Sequence, residues 1–195
     1  PTYKKIVETY GDKDRVIFKH TPLAFHKNAP LAHEASLAAG AQGKFWEMHA
    51  LLFENQKKLL RPDLESYAEQ LGLNMKAFKK ALDKGTYKAQ IADDMALAEK
   101  VQARGTPNHF INGRKLTGAK PFEEFKKVID EELKKTDAML SAGTSLEELY
   151  PKLIAKGKTF NPLESAVQKI VNPVDAPSKG DPKANIVITE YTDYQ

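Results

Sequence analysis

The run Ile186-Val187-Ile188-Thr189-Glu190-Tyr191 constrains this chain most, because it reads as a buried strand over 184–191 with no strand near it in sequence. The nearest strand-like residues, 108–118, are separated from it by a helical stretch and a Pro-rich one. A strand this apolar has to be paired, since leaving it out of a sheet exposes an apolar face and open edges. It therefore has to pair somewhere, with strands much earlier in its own chain or with those of another copy or module. The turn Thr192-Asp193-Tyr194-Gln195 follows it. At the other end, Tyr3, Ile6, Val7 and Tyr10 recur at i, i+3, i+4 and i+7, one face of a helix already under way. The start reads as what should follow the end: strand, turn, helix.

Between these ends the pattern changes twice. Arg15-Val16-Ile17-Phe18-Lys19-His20 is a short β-rich run bounded by Asp12-Lys13-Asp14 and Thr21-Pro22, and predicts a strand. Helical spacing then predicts helices over 29–41, 43–57, 63–71, 75–84 and 86–104, punctuated by Gly43, Arg61-Pro62, Gly72 and Gly85. Their apolar residues, among them Leu37, Phe45, Met48, Leu52, Leu64, Phe78, Leu82, Ile91 and Met95, read as core. Gly105-Thr106-Pro107 leads into two short strands joined by an Asn112-Gly113 turn. A helix over 121–140 follows, with Phe122, Phe125, Val128, Ile129 and Leu133 as its stripe, and Thr144-Ser145-Leu146-Glu147 reads as a capping box opening a short helix to 156. The stretch 157–183 reads as a linker.

Composition narrows the function classes. The 30 Lys and Arg are interleaved with 26 Asp and Glu, and no basic stripe carries stacking aromatics, which argues against nucleic acid as a partner. No apolar run approaches the roughly 20 residues that span a bilayer. The chain has no cysteine, so it holds no disulfide and no thiol nucleophile. His26, His33 and His49 share the helical region with Glu34 and Glu47, but none has the spacing that puts two metal ligands on one helix face, so no metal and no other cofactor is expected.

Moving the last strand to the front gives β-α-β, a helical insertion, then β-β-α. In that order the chain resembles the DsbA-like thiol-disulfide oxidoreductases. The resemblance rests on the strand from Asn185 through Gln195, on the helix over 1–10, and on Thr21-Pro22-Leu23-Ala24-Phe25-His26 and Lys44-Phe45-Trp46-Glu47-Met48-His49 in and around the insertion. It rests also on Gly105-Thr106-Pro107 with the Asn112-Gly113 hairpin. It implies an α/β thioredoxin-like fold with an inserted helical domain and a circularly rotated strand order. The thioredoxin-like part would comprise 1–27, 105–140 and 184–195, the insertion 28–104, and 141–183 a short helix plus Pro-rich linker.

The resemblance further implies disulfide exchange with protein or peptide thiols in an extracytoplasmic or periplasmic setting. The redox Cys-x-x-Cys would fall between Gln195 and Pro1. Glu190 corresponds to the family's buried acid and would pass a proton to a thiol. Thr106 and the cis-proline Pro107, with His109 beside them, would bind an extended substrate, although the family carries an apolar residue where this chain has His109. Three origins fit the ends: a segment of a tandem protein, a circular permutation, or a Cys-x-x-Cys segment missing from between them. The last strand is expected to fold back on its own chain or to swap into a second copy and form a homodimer. The alternative function is a redox-inactive peptide-binding module of the same fold.

Overall fold

A computed structural model describes residues 2–157, 170 and 176–194. The chain divides into two compact units, 1–19 with 97–191, and 20–96 with 192–195.

The first unit is built on a five-stranded sheet. Helix α1 (Thr2–Tyr10) precedes strand β1 (Asp14–His20), and β2 (Asn108–Ile111) and β3 (Arg114–Thr117) form a hairpin. Helices α7 (Phe122–Ser141) and α8 (Leu146–Ile154) follow, then β4 (Ser178–Gly180) and β5 (Ile186–Thr192). The sheet order is β3-β2-β5-β1-β4, so the last strand in sequence takes the middle place. It pairs antiparallel with β2, placing Asn108 opposite Tyr191, His109 opposite Glu190 and Phe110 opposite Thr189. Every residue of β5 is buried, which is why it reads as an almost unbroken apolar run instead of an alternating one. Asn112 fastens the start of β5: its backbone N–H donates to the Val187 carbonyl at 2.8 Å and its Oδ1 accepts from the Val187 N–H at 2.7 Å. The turn that carries it has positive φ at Asn112 and Gly113, 48° and 84°, as a two-residue hairpin requires.

Part of the expected linker belongs to the sheet. Ser178 to Gly180 pair antiparallel with Ile17 to Arg15, and Ala176 packs with Ile17 and Val187. The periodicity missed β4 because three residues carry no pattern, and its Pro and Gly flanks mimic a loop. The remainder of the expected linker, 158–169 and 171–175, lies outside the described residues. The short helix α8 is capped one residue later than the sequence suggests. Ser145 accepts from the Glu148 N–H at 3.3 Å, so Ser145 and not Thr144 is the N-cap.

The second unit is helical: α2 (Ala29–Gly40), α3 (Phe45–Glu54), α4 (Arg61–Gln70), α5 (Met75–Lys84) and the first part of α6 (Lys88–Lys100). Helix α2 buries Ala29, Ala32, Ala35, Ala38 and Ala39, small residues that allow its neighbours to approach closely. Met48, Leu52, Leu64 and Phe78 are wholly buried around it. Asn74 caps α5 through the Ala77 N–H, and Gly85 closes it in the left-handed conformation. On α6 the burial differs from expectation: Met95 is exposed and Asp94 is buried instead, its carboxylate accepting from the His20 backbone N–H at 3.0 Å. A buried backbone donor requires a partner, and that requirement outweighs the hydropathy of one position.

Candidate functional site

Each unit carries a buried polar cluster. In the first unit, Glu190 lies on the central strand and is 5% exposed. Burial pushes its carboxyl up to about 8, while the nearby Tyr3 hydroxyl favours the ionised form and opposes that rise. Tyr3 comes from the first turn of α1; its own hydroxyl is raised well above the usual range by burial and by Glu190. His109, directly across the strand pair from Glu190, is 3% exposed. Its ring packs at 5.8 Å from the Tyr3 ring and 4.8 Å from Phe125 of α7. Nδ1 of His109 donates to the Leu116 carbonyl at 3.1 Å. Burial lowers its imidazole to about 4, so it is neutral at ordinary pH.

The loop before β2 is held by Asn108. Its side-chain amide donates to the carbonyls of Arg104 (3.2 Å) and Gly105 (2.7 Å), and its Oδ1 accepts from the Thr117 hydroxyl at 3.0 Å. The Thr106–Pro107 peptide in this loop is cis, and the Pro107 carbonyl accepts from the Gly118 N–H at 2.9 Å. No other backbone group among the described residues engages the Thr106 backbone. Thr106 and Pro107 are partly exposed, whereas the His109 ring faces inward among Tyr3 and Phe125.

The second unit holds a cluster that the sequence did not announce. Asp193, just past β5, is fully saturated. Its Oδ2 accepts from the Leu23 N–H (2.8 Å) and pairs with His26 Nδ1 (2.6 Å); its Oδ1 pairs with His33 Nε2 (3.0 Å) and accepts from the Tyr194 N–H (2.8 Å). His33 Nδ1 faces His20 Nδ1 at 2.8 Å. Only one proton fits between those two nitrogens. With Nε2–H of His33 given to Asp193, a neutral His33 has Nδ1 as acceptor, and His20 donates. Burial lowers the His33 imidazole despite the opposing pull of Asp193 and Asp94. Burial alone would raise Asp193, but hydrogen bonds from His33, the Leu23 N–H and His26 outweigh it and hold the carboxylate below its ordinary range.

His26 and His33 are thus joined to Asp193, while the His49 ring packs against Phe45, Trp46 and Phe53. Glu47 pairs with Lys44 at 2.9 Å, and Glu34 is buried and raised by that burial, which Lys88 partly offsets. Among the described residues no group of three or more His, Cys, Asp or Glu side chains is arranged to hold a metal ion, and no helix is long and apolar enough to cross a membrane. Pro1 and Gln195, which flank the expected dithiol position, lie outside the described residues.

A family model described as a DSBA-like thioredoxin domain matches residues 4–130. Among curated proteins, the chain is 42% identical over 106 residues to a Na(+)/H(+) antiporter NhaA 1 of Salinispora arenicola, covering 54% of this chain and 16% of that protein. It is 38% identical over 119 residues to NhaA 3 of Salinispora tropica, covering 60% and 18%, and 36% identical over 110 residues to NhaA of Herminiimonas arsenicoxydans, covering 56% and 17%. The chain therefore spans less than a fifth of the length of these relatives. No solved structure matches it.

Proposed function

The chain belongs to the DSBA-like thioredoxin family, and from that premise we propose that it is the scaffold of a thiol-disulfide oxidoreductase acting on protein substrates outside the cytoplasm. The observation that carries this reading is Glu190, an acid kept protonated by burial on the central strand of the unit that also holds the cis Thr106–Pro107 loop. In this reading 1–27, 105–140 and 184–195, joined by the edge strand 178–180, form the thioredoxin-like part, 28–104 the insertion and the rest of 141–183 the connection. The open backbone of Thr106 pairs with an extended substrate segment by strand addition, Pro107 shapes the loop, and His109 backs it from inside. Glu190 gives its proton to a leaving thiolate, which becomes a thiol while the carboxylate keeps the electron pair.

The 195 residues contain no cysteine, so turnover requires a dithiol from outside them. A version carrying Cys-x-x-Cys directly after Gln195 should reduce insulin disulfides, and Glu190→Gln should slow it most where the wild-type acid is protonated. Insulin reduction absent from that version, alongside intact binding of unfolded peptides at Thr106, would establish the peptide-binding module instead. The antiporters' ion exchange is not carried over, since the matched stretch is a small part of each. Exchange of β5 between two copies is the corresponding route to a homodimer, and concentration-dependent size-exclusion chromatography reads it.

A further inference from the structure

We propose that Asn112 is a site of spontaneous deamidation that a seated β5 guards, so that a sheet left open long enough loses its seat for β5 irreversibly. Asn112-Gly113 is the one Asn-Gly pair in the chain; every other asparagine is followed by a residue that carries a side chain. Glycine leaves its N–H uncovered and its dihedrals free, so in an unpaired chain the Gly113 nitrogen reaches the side-chain carbonyl carbon of Asn112. That nitrogen gives its proton to water and bonds to Cγ; the bond from Cγ to Nδ2 breaks, and Nδ2 takes up a proton and leaves as ammonia. The succinimide ring so formed takes up one water. Opening it at Cγ gives aspartate, and opening it at the main-chain carbonyl carbon gives isoaspartate, whose main chain runs through Cβ and Cγ. Nothing is oxidised or reduced: one amide and one water become one carboxyl and ammonia.

In the folded sheet the groups this step needs are held. Asn112 Nδ2 donates to the Asn185 carbonyl at 3.1 Å, and Oδ1 accepts from the Val187 N–H at 2.7 Å. The Asn112 N–H donates to the Val187 carbonyl at 2.8 Å. Both ends of the side-chain amide are thus tied to the start of β5, and Cγ is not free to swing onto the Gly113 nitrogen. Asn112 is 0% exposed and Gly113 is buried, which keeps away the water that removes the proton and opens the ring. All three bonds end on residues 185–187, so the guard is β5 itself, whether from the same chain or from a second copy seated in its place. The products cannot rebuild the clamp. Aspartate sets an oxygen lone pair against the Asn185 carbonyl where Nδ2 had donated, and it buries a charge. Isoaspartate adds a main-chain carbon to a two-residue turn whose geometry does not accommodate one.

The test incubates the 195-residue protein at mildly alkaline pH, in buffer and in denaturing guanidinium, and reads its peptides by mass spectrometry with aspartate and isoaspartate separated. In guanidinium Asn112 should convert, while Asn74 and Asn185, each followed by a bulky side chain, stay intact. In buffer the same conversion should be slower by about tenfold or more, because it waits for β5 to open. The guanidinium-treated sample is then returned to buffer and followed by hydrogen exchange. Unmodified molecules should regain protection along 186–188; modified ones should not, although their helices over 29–84 recover. Equal rates of conversion in the two conditions would overturn the guard, and an intact Asn112 in guanidinium would overturn the site. Full protection of 186–188 in modified molecules would overturn the loss of the seat.

Discussion

Glu190 and Asp193 lie three residues apart and are opposite cases of a buried carboxyl. Glu190 has burial without a set of donors; Asp193 has two backbone N–H groups and two imidazoles. The sign of each pH effect follows. Glu190's folded value of about 8 lies above its ordinary 4.5, so the folded state binds the extra proton and loses stability as pH rises between those values. Glu190→Gln should therefore stabilise the fold by a few kcal/mol at pH 8 and change little below pH 4.5, measured by denaturant unfolding at both pH values. Asp193 is depressed, so its contribution is present above its ordinary value and lost as pH falls through the folded one. Asp193→Ala leaves His26, His33 and two N–H groups without their acceptor and should cost about 3–5 kcal/mol at neutral pH, by the same measurement. Strand periodicity and the family resemblance together pointed to Glu190. Nothing pointed to Asp193, because its partners Leu23, His26 and His33 lie 170, 167 and 160 residues away and no local spacing encodes such a contact.

Among the elements, those with a strong period or a turn signature were legible: α2 to α5, β1, the Asn112-Gly113 hairpin and β5 were all readable from residues alone. The misreadings were at positions where a single contact decides. Strand β4 exists because Gly180, at φ 108°, lets its backbone approach β1; a Cβ there would sit 2.1 Å from the Asp14 carbonyl oxygen. Gly180→Ala should detach the β4 edge, seen as faster amide hydrogen exchange along 178–180 with the centre of the sheet still protected. Ile188 is fully buried on the central strand, and Ile188→Ala should cost about 2–5 kcal/mol in denaturant unfolding without altering the β2–β5 register.

On the scale of the whole chain, each unit carries a buried imidazole that acid destabilises, and the first adds in Glu190 a carboxyl that alkali destabilises. The first contains a carboxyl whose proton stabilises it; the second contains His33, lowered by burial, and Asp193, also lowered, both of which oppose protonation. For His33 the unfolded state takes up the proton first, so stability falls as pH drops below the ordinary imidazole value of 6.5. Hydrogen exchange read by mass spectrometry should show residues 20–96 and 97–111 both losing protection on the acid side, and 97–111 with 186–191 losing it on the alkaline side as well; no alkaline loss along 186–191 would contradict the buried acid. The central place of β5 also bears on how the protein is made. The helices of 20–96 close through near neighbours and can form as they leave the ribosome. The edges of β1 and β2 stay open until a strand some 75 residues beyond β2 has been synthesised, so the sheet of the nascent chain is the part in need of shelter from other chains.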